Sequence, residues 1–214
     1  RDALKYGFQV CSHAIGDRAN REVLDRYETA FKENPSAKDH RFRIEHAQHL
    51  HPNDIPRFGQ LGVIPAMQAV HLSSDRPWAI ERLGEKRIKE GAYMWQSLLK
   101  TGAKVINGTD APVEPLTPIA SYYASVTRKT LKGEPAGGYE PEEKMTRDQA
   151  LRSYTIDAAY GAFEENIKGS IAPGKLADFT VFSQDIMTAP EDQLLNTRVV
   201  RTILGGKTVY EEKK

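Results

Sequence analysis

Cysteine is almost absent: Cys11 stands alone in 214 residues. An internal disulfide and a multi-cysteine metal cage are therefore excluded. The expected location is the cytoplasm, although an exported protein without disulfides looks the same. No apolar stretch reaches the length of a membrane span. Basic and acidic residues nearly cancel, 30 against 29, for a net charge of +1. No long run of one sign occurs, so neither a nucleic acid nor a membrane is expected as a partner. No Gly-x-Gly-x-x-Gly or Walker-type loop follows any strand, which disfavours a nucleotide-binding doubly wound fold. Internal repeats of solenoid period and low-complexity segments are missing too. The first residues, Arg1-Asp2-Ala3-Leu4-Lys5-Tyr6-Gly7, lack an initiator Met and a signal-peptide h-region. The expectation is a chain that starts inside a longer polypeptide.

What is present is a core-forming composition, 39% hydrophobic, arranged as short apolar runs alternating with helical patterns. That order predicts βα units and a parallel sheet. Strands are expected at 8–13, 42–46, 62–68 and 103–110. Helices are expected at 18–33, with Asp17 as N-cap and Ala19, Val23, Tyr27 and Ala30/Phe31 as its apolar stripe, then at 53–61 and 92–100. Residues 71–90 read as a long loop. The Pro-rich turn 111–118 leads into a helix ending near Leu131. Thr146-Arg147-Asp148-Gln149 is a capping-box pattern opening a helix to about Tyr160, with Gly161 as the stop. Beyond it the character changes to antiparallel β: a strand at 178–182 and a hairpin of 198–204 and 207–211 about Gly205-Gly206.

The chemistry lies in what ends each strand. The first expected strand ends in His13, the second in His46, the third in Gln68 with His71 just beyond, the fourth in Asp110. In parallel α/β folds such residues converge on one face, where barrel active sites lie. Two imidazoles and a carboxylate suit a divalent metal and a proton shuttle. A single strand-end His is more often a structural residue, but three such ends together are harder to dismiss.

Three segments carry a family resemblance: Ser12-His13-Ala14-Ile15-Gly16-Asp17-Arg18-Ala19, Arg43-Ile44-Glu45-His46-Ala47-Gln48 and Asn107-Gly108-Thr109-Asp110-Ala111-Pro112-Val113-Glu114. So do Ser74-Asp75-Arg76-Pro77-Trp78, Tyr154-Thr155-Ile156-Asp157-Ala158-Ala159-Tyr160 and the stretch 168–178. In order, they resemble the metal-dependent amidohydrolase superfamily, in the branch with formamide deformylases and D-aminoacylases. The resemblance implies the second half of a (β/α)₈ barrel over residues 1–162, about strands five to eight, and part of a small β-sandwich over 163–214. It implies His13 and His46 as metal ligands, and Asp110 as both ligand and catalytic acid/base. The cofactor it implies is a divalent metal, zinc foremost, as one or two ions in the intact enzyme. The family's first-strand His-x-His pair and its bridging residue have no counterpart in this sequence, and His49-Leu50-His51 sits in a loop. The absent N-terminal half, or a second copy, is the expected partner.

Around these residues, His71, Gln68 and Arg18 are candidates for substrate contact, with a loop histidine and a surface ion pair as the plainer readings of His71 and Arg18. Cys11 reads as a small buried residue. The expected function is hydrolysis of a non-peptide C–N bond of amide type in a small molecule, through a metal-activated water and Asp110. The alternative is a non-catalytic half-barrel: a fragment, a regulatory protein or a subunit of a split enzyme.

Overall fold

The computed structural model describes residues 1–213. After a short helix α1 (Asp2–Lys5), four parallel strands follow: β1 (Cys11–Ala14), β2 (Arg43–His46), β3 (Ile64–Met67) and β4 (Ile106–Asn107). Their order in the sheet is β1-β2-β3-β4, the order in the chain. Every residue of β3 is buried, as expected of a continuous apolar run covered on both faces. One face packs on helices: the Tyr27 hydroxyl, from α2 (Asp17–Glu33), donates to Ser12 Oγ at 2.7 Å or to the Arg43 carbonyl at 2.9 Å. The other face carries a small apolar patch of Ile64, Ala66 and Ile106, with Tyr160 against it.

Helix α2 is capped by Gly16, and Asp17 is its first helical residue rather than the cap. There the carboxylate favours the helix through the positive end of the dipole. The buried stripe is Asn20, Leu24, Tyr27 and Ala30, so the first half turns one position away from Ala19 and Val23. Asn20 explains the turn, because its Nδ2 donates to the carbonyls of Ala14 at 3.1 Å and Gly16 at 2.9 Å, closing the β1–α2 connection.

A 3₁₀ turn, Pro52–Asp54, precedes α3 (Ile55–Leu61), and Gly62 ends α3 in the left-handed region with φ 63°. The stretch expected as a long loop is helical: α4 (His71–Ser74), α5 (Arg76–Leu83) and α6 (Glu85–Gly91), followed by α7 (Trp95–Lys100). Few apolar residues mark it, because each short helix buries only one or two side chains. Pro77 is tolerated in the first turn, and Gly84, at φ 79°, makes the break between α5 and α6.

Helix α8 (Pro118–Thr127) is buried at every position from Ile119 onward. It stops before Leu131 because Arg128 turns left-handed at φ 54° and sends a fully buried guanidinium to the carbonyls of Tyr93 and Tyr139, each at 2.6 Å. The capping box at Thr146 and Gln149 forms as expected. The helix it opens breaks at Thr155 into α9 (Arg147–Tyr154) and α10 (Ile156–Gly161). Gly161 ends α10 beneath the sheet, where its carbonyl accepts from Gln9 Nε2 at 2.8 Å and Arg43 Nη1 at 3.0 Å.

The last part is a three-stranded antiparallel sheet of β5 (Phe179–Phe182), β6 (Val199–Leu204) and β7 (Lys207–Glu211). Gly205 and Gly206, at φ 56° and 77°, make the expected two-residue hairpin turn. Between β5 and β6 the chain returns to the first unit: Ile186, Ala189 and Leu194 belong to the same core cluster as α8. Among the described residues no helix is long and apolar enough to cross a membrane.

Candidate metal centre

The C-terminal edge of the parallel sheet gathers the chemistry. His46 is the last residue of β2, His71 the first of α4 just past β3, and Asp110 lies in the turn after β4. One ligand atom from each lies within 4.8 Å of the others. His46 and Asp110 both have positive φ, 77° and 59°, as does Ala47 at 44°. Non-glycine residues in this region carry strain that clusters at functional sites.

Each histidine has a neighbour on its Nδ1 side. At His46, Gln68 Oε1 lies 2.7 Å from Nδ1. The Gln68 amide is oriented by donation from Nε2 to the Ala66 carbonyl at 3.2 Å. The amide oxygen thus accepts from Nδ1–H and leaves the Nε2 lone pair outward. At His71, Nδ1 faces Glu114 Oε1 at 3.4 Å and Asp75 Oδ2 at 3.9 Å, while Nε2 faces Asp110 Oδ2 at 3.4 Å. Asp75 is held by Gln48, whose Nε2 also reaches the Tyr93 hydroxyl. That hydroxyl donates to the His71 carbonyl at 3.1 Å. Burial pushes the Tyr93 phenol up, with Asp75 adding to it, so it stays a protonated donor. Below Asp110, Asn107 Nδ2 donates to Ser153 Oγ at 2.9 Å, and the Tyr154 hydroxyl donates to the Gly108 carbonyl at 2.9 Å.

His13 is the neighbour of this set. It is exposed on β1 and meets the His46 ring edge-on, centroids 4.6 Å apart, but it lies outside the group of three. Arg18 points away into solvent and pairs with Glu22 at 2.9 Å. Cys11, on the edge strand β1, is exposed rather than buried; partial desolvation pushes its thiol up. Gln48, Asp75 and Glu114 fall outside the residues expected from sequence, although all three lie within the motifs quoted above. The signal available for Glu114 was an acidic residue four positions after Asp110, within reach of one turn.

The donor set fits a divalent cation. Two imidazole nitrogens, one of them freed by a partner on its other nitrogen, and one carboxylate oxygen are ligands that zinc and similar ions take.

A sequence model described as the amidohydrolase family matches residues 1–210. Protein LONG AFTER FAR-RED 3 of Arabidopsis thaliana is 40% identical over 208 residues, covering 97% of this chain and 35% of that protein. N-substituted formamide deformylase of Arthrobacter pascens is 30% identical over 210 residues, 98% of this chain and 38% of that protein. The solved structure of an uncharacterized metal-dependent hydrolase from Pyrococcus horikoshii OT3 is similar with a TM-score of 0.75 at 31% identity, over 89% of this chain and 37% of that one. The chain spans a little over a third of the length of these curated relatives.

Proposed function

Because this chain belongs to the amidohydrolase family, we propose that it carries the metal-binding and proton-transfer groups of a metal-dependent hydrolase acting on non-peptide C–N bonds of amide type. The observation that carries this reading is the convergence of His46, His71 and Asp110 at the C-terminal ends of parallel strands. These three would hold the ion, most simply zinc, with His13 beside His46 as a further ligand. A bound divalent cation supplies Lewis acidity, polarising a carbonyl and acidifying water.

The chain's own residues do the rest. Asp110 takes a proton from the attacking water and returns it to the leaving nitrogen. The strained turn at Asp110 and the bonds under Asn107 and Gly108 fix where that carboxylate stands. Gln68 acts on His46 rather than on substrate in this reading, and the α4–α6 segment shapes the pocket for a small amide, since barrel specificity resides in βα loops. The four strands are read as strands five to eight of a (β/α)₈ barrel, and residues 163–214 as part of a β-sandwich. Further strands, from the rest of a longer protein or from a second copy, complete the barrel.

The test combines metal analysis with turnover. Near-stoichiometric zinc or a similar ion per chain, and formate release from an N-substituted formamide, are the expected results. Asp110→Asn is expected to cut turnover by about 10²–10⁴-fold. Undiminished turnover in that variant refutes the role given to Asp110.

A further inference from the structure

His46 and His71 face the same point, yet their rear nitrogens are treated differently. His46 Nδ1 meets a neutral amide, that of Gln68, at 2.7 Å. His71 Nδ1 meets carboxylates, and Glu114 is the nearer, at 3.4 Å against 3.9 Å for Asp75. Asp75 Oδ2 already accepts from Gln48 Nε2 at 2.9 Å. Glu114 has no other ion-pair partner among the described residues, and its side chain is 13% exposed against 27% for Asp75. Its position is set by the turn that also sets Asp110, because the N–H groups of Val113 and Glu114 both point to the Asp110 carbonyl, at 2.8 Å and 3.4 Å. One short turn therefore brings two carboxylates to opposite edges of a single buried imidazole: Asp110 at Nε2 and Glu114 at Nδ1.

We propose that Glu114 is a positioning residue: its carboxylate accepts the Nδ1–H of His71 and holds that ring in the tautomer that presents a bare Nε2 to Asp110 and His46. Without it, the proton on neutral His71 is free to sit on Nε2 and bond Asp110, which occupies the nitrogen and the carboxylate together. Asp75 supports the same tautomer from farther away. The tautomer itself does not depend on the cation reading above; only its consequence for ion binding rests on that reading.

Long-range ¹⁵N–¹H correlation spectra of the metal-free chain, at a pH where histidine is neutral, read the tautomer of His71 directly. Wild type is expected to show Nδ1–H. Glu114→Leu is expected to raise the Nε2–H fraction, and Glu114→Gln, whose amide oxygen still accepts, to keep Nδ1–H. An Nε2–H ring in the wild-type chain, or an unchanged tautomer ratio in Glu114→Leu, overturns the proposal, and the first of these needs no variant to fold. Zinc titration followed on the same resonances separates the two readings. Zinc that leaves wild-type His46 and His71 unmoved sinks the cation site while the tautomer still judges Glu114. Where wild type binds, Glu114→Leu is expected to weaken zinc about 10–100-fold, and affinity equal to wild type overturns the link to binding.

Discussion

A buried histidine away from the centre ties single-residue chemistry to stability. His49 is 9% exposed, and its Nδ1 has no hydrogen-bond partner. Burial holds its pKa below the ordinary imidazole value, with Asp75 and Asp17 opposing. His40 is lowered by burial in the same way. The unfolded chain therefore takes up protons first as pH falls. Their contribution is complete above about pH 6.5 and is lost as pH drops through the lower folded values. Urea midpoints measured from about pH 7 down to about pH 5 should fall, and His49→Gln should make that fall shallower. An unchanged slope would show that His49 titrates alike in both states.

At the scale of elements, Arg128 joins three of them. Its guanidinium, fully buried at the end of α8, binds backbone carbonyls before α7 and in the 128–143 segment, and pairs with Glu140 at 3.2 Å. Its cation lies 4.7 Å over the Trp95 ring. Arg128→Met should destabilise the chain by about 1–3 kcal/mol, since it leaves the buried Tyr139 carbonyl without its donor, while Glu140 keeps Arg76 and the Tyr93 carbonyl keeps the Trp95 N–H. Equilibrium denaturation measures it, and a loss below 1 kcal/mol, about that of an exposed pair, would contradict this role. The same elements show what the sequence made legible. The four parallel strands and the hairpin were readable, because apolar runs and Gly205-Gly206 are local signals. The helices of 71–91 were not, because each buries too little to print a period. That hid the site as well. His13, His46 and Asp110 stand out as strand-end groups and His71 as a substrate-contact candidate just past the third strand, but its place against Asp110 comes only with α4. Arg128 left no local mark, since all its partners are distant in sequence.

For the molecule as a whole, an ion held by the proposed centre would be a ligand that favours the folded state. Zinc at about 100 times its Kd should raise stability by about 2.7 kcal/mol. At this size each kcal/mol is about 2–4 °C in Tm, and a chelator should reverse the gain; a melting curve indifferent to zinc would leave no ion coupled to folding. The placement of Gly161 bears on how the chain is made. Because the strands pair in chain order, each can join its predecessor as it leaves the ribosome, and these four are paired once β4 has emerged. Their underside is still uncovered. Gln9 and Arg43 wait for the Gly161 carbonyl, and Ile64, Ala66 and Ile106 stay wet until Tyr160 arrives. Both come only after α8 and α9 have been synthesised. During that interval the nascent chain shows four paired strands with a bare apolar patch on one face.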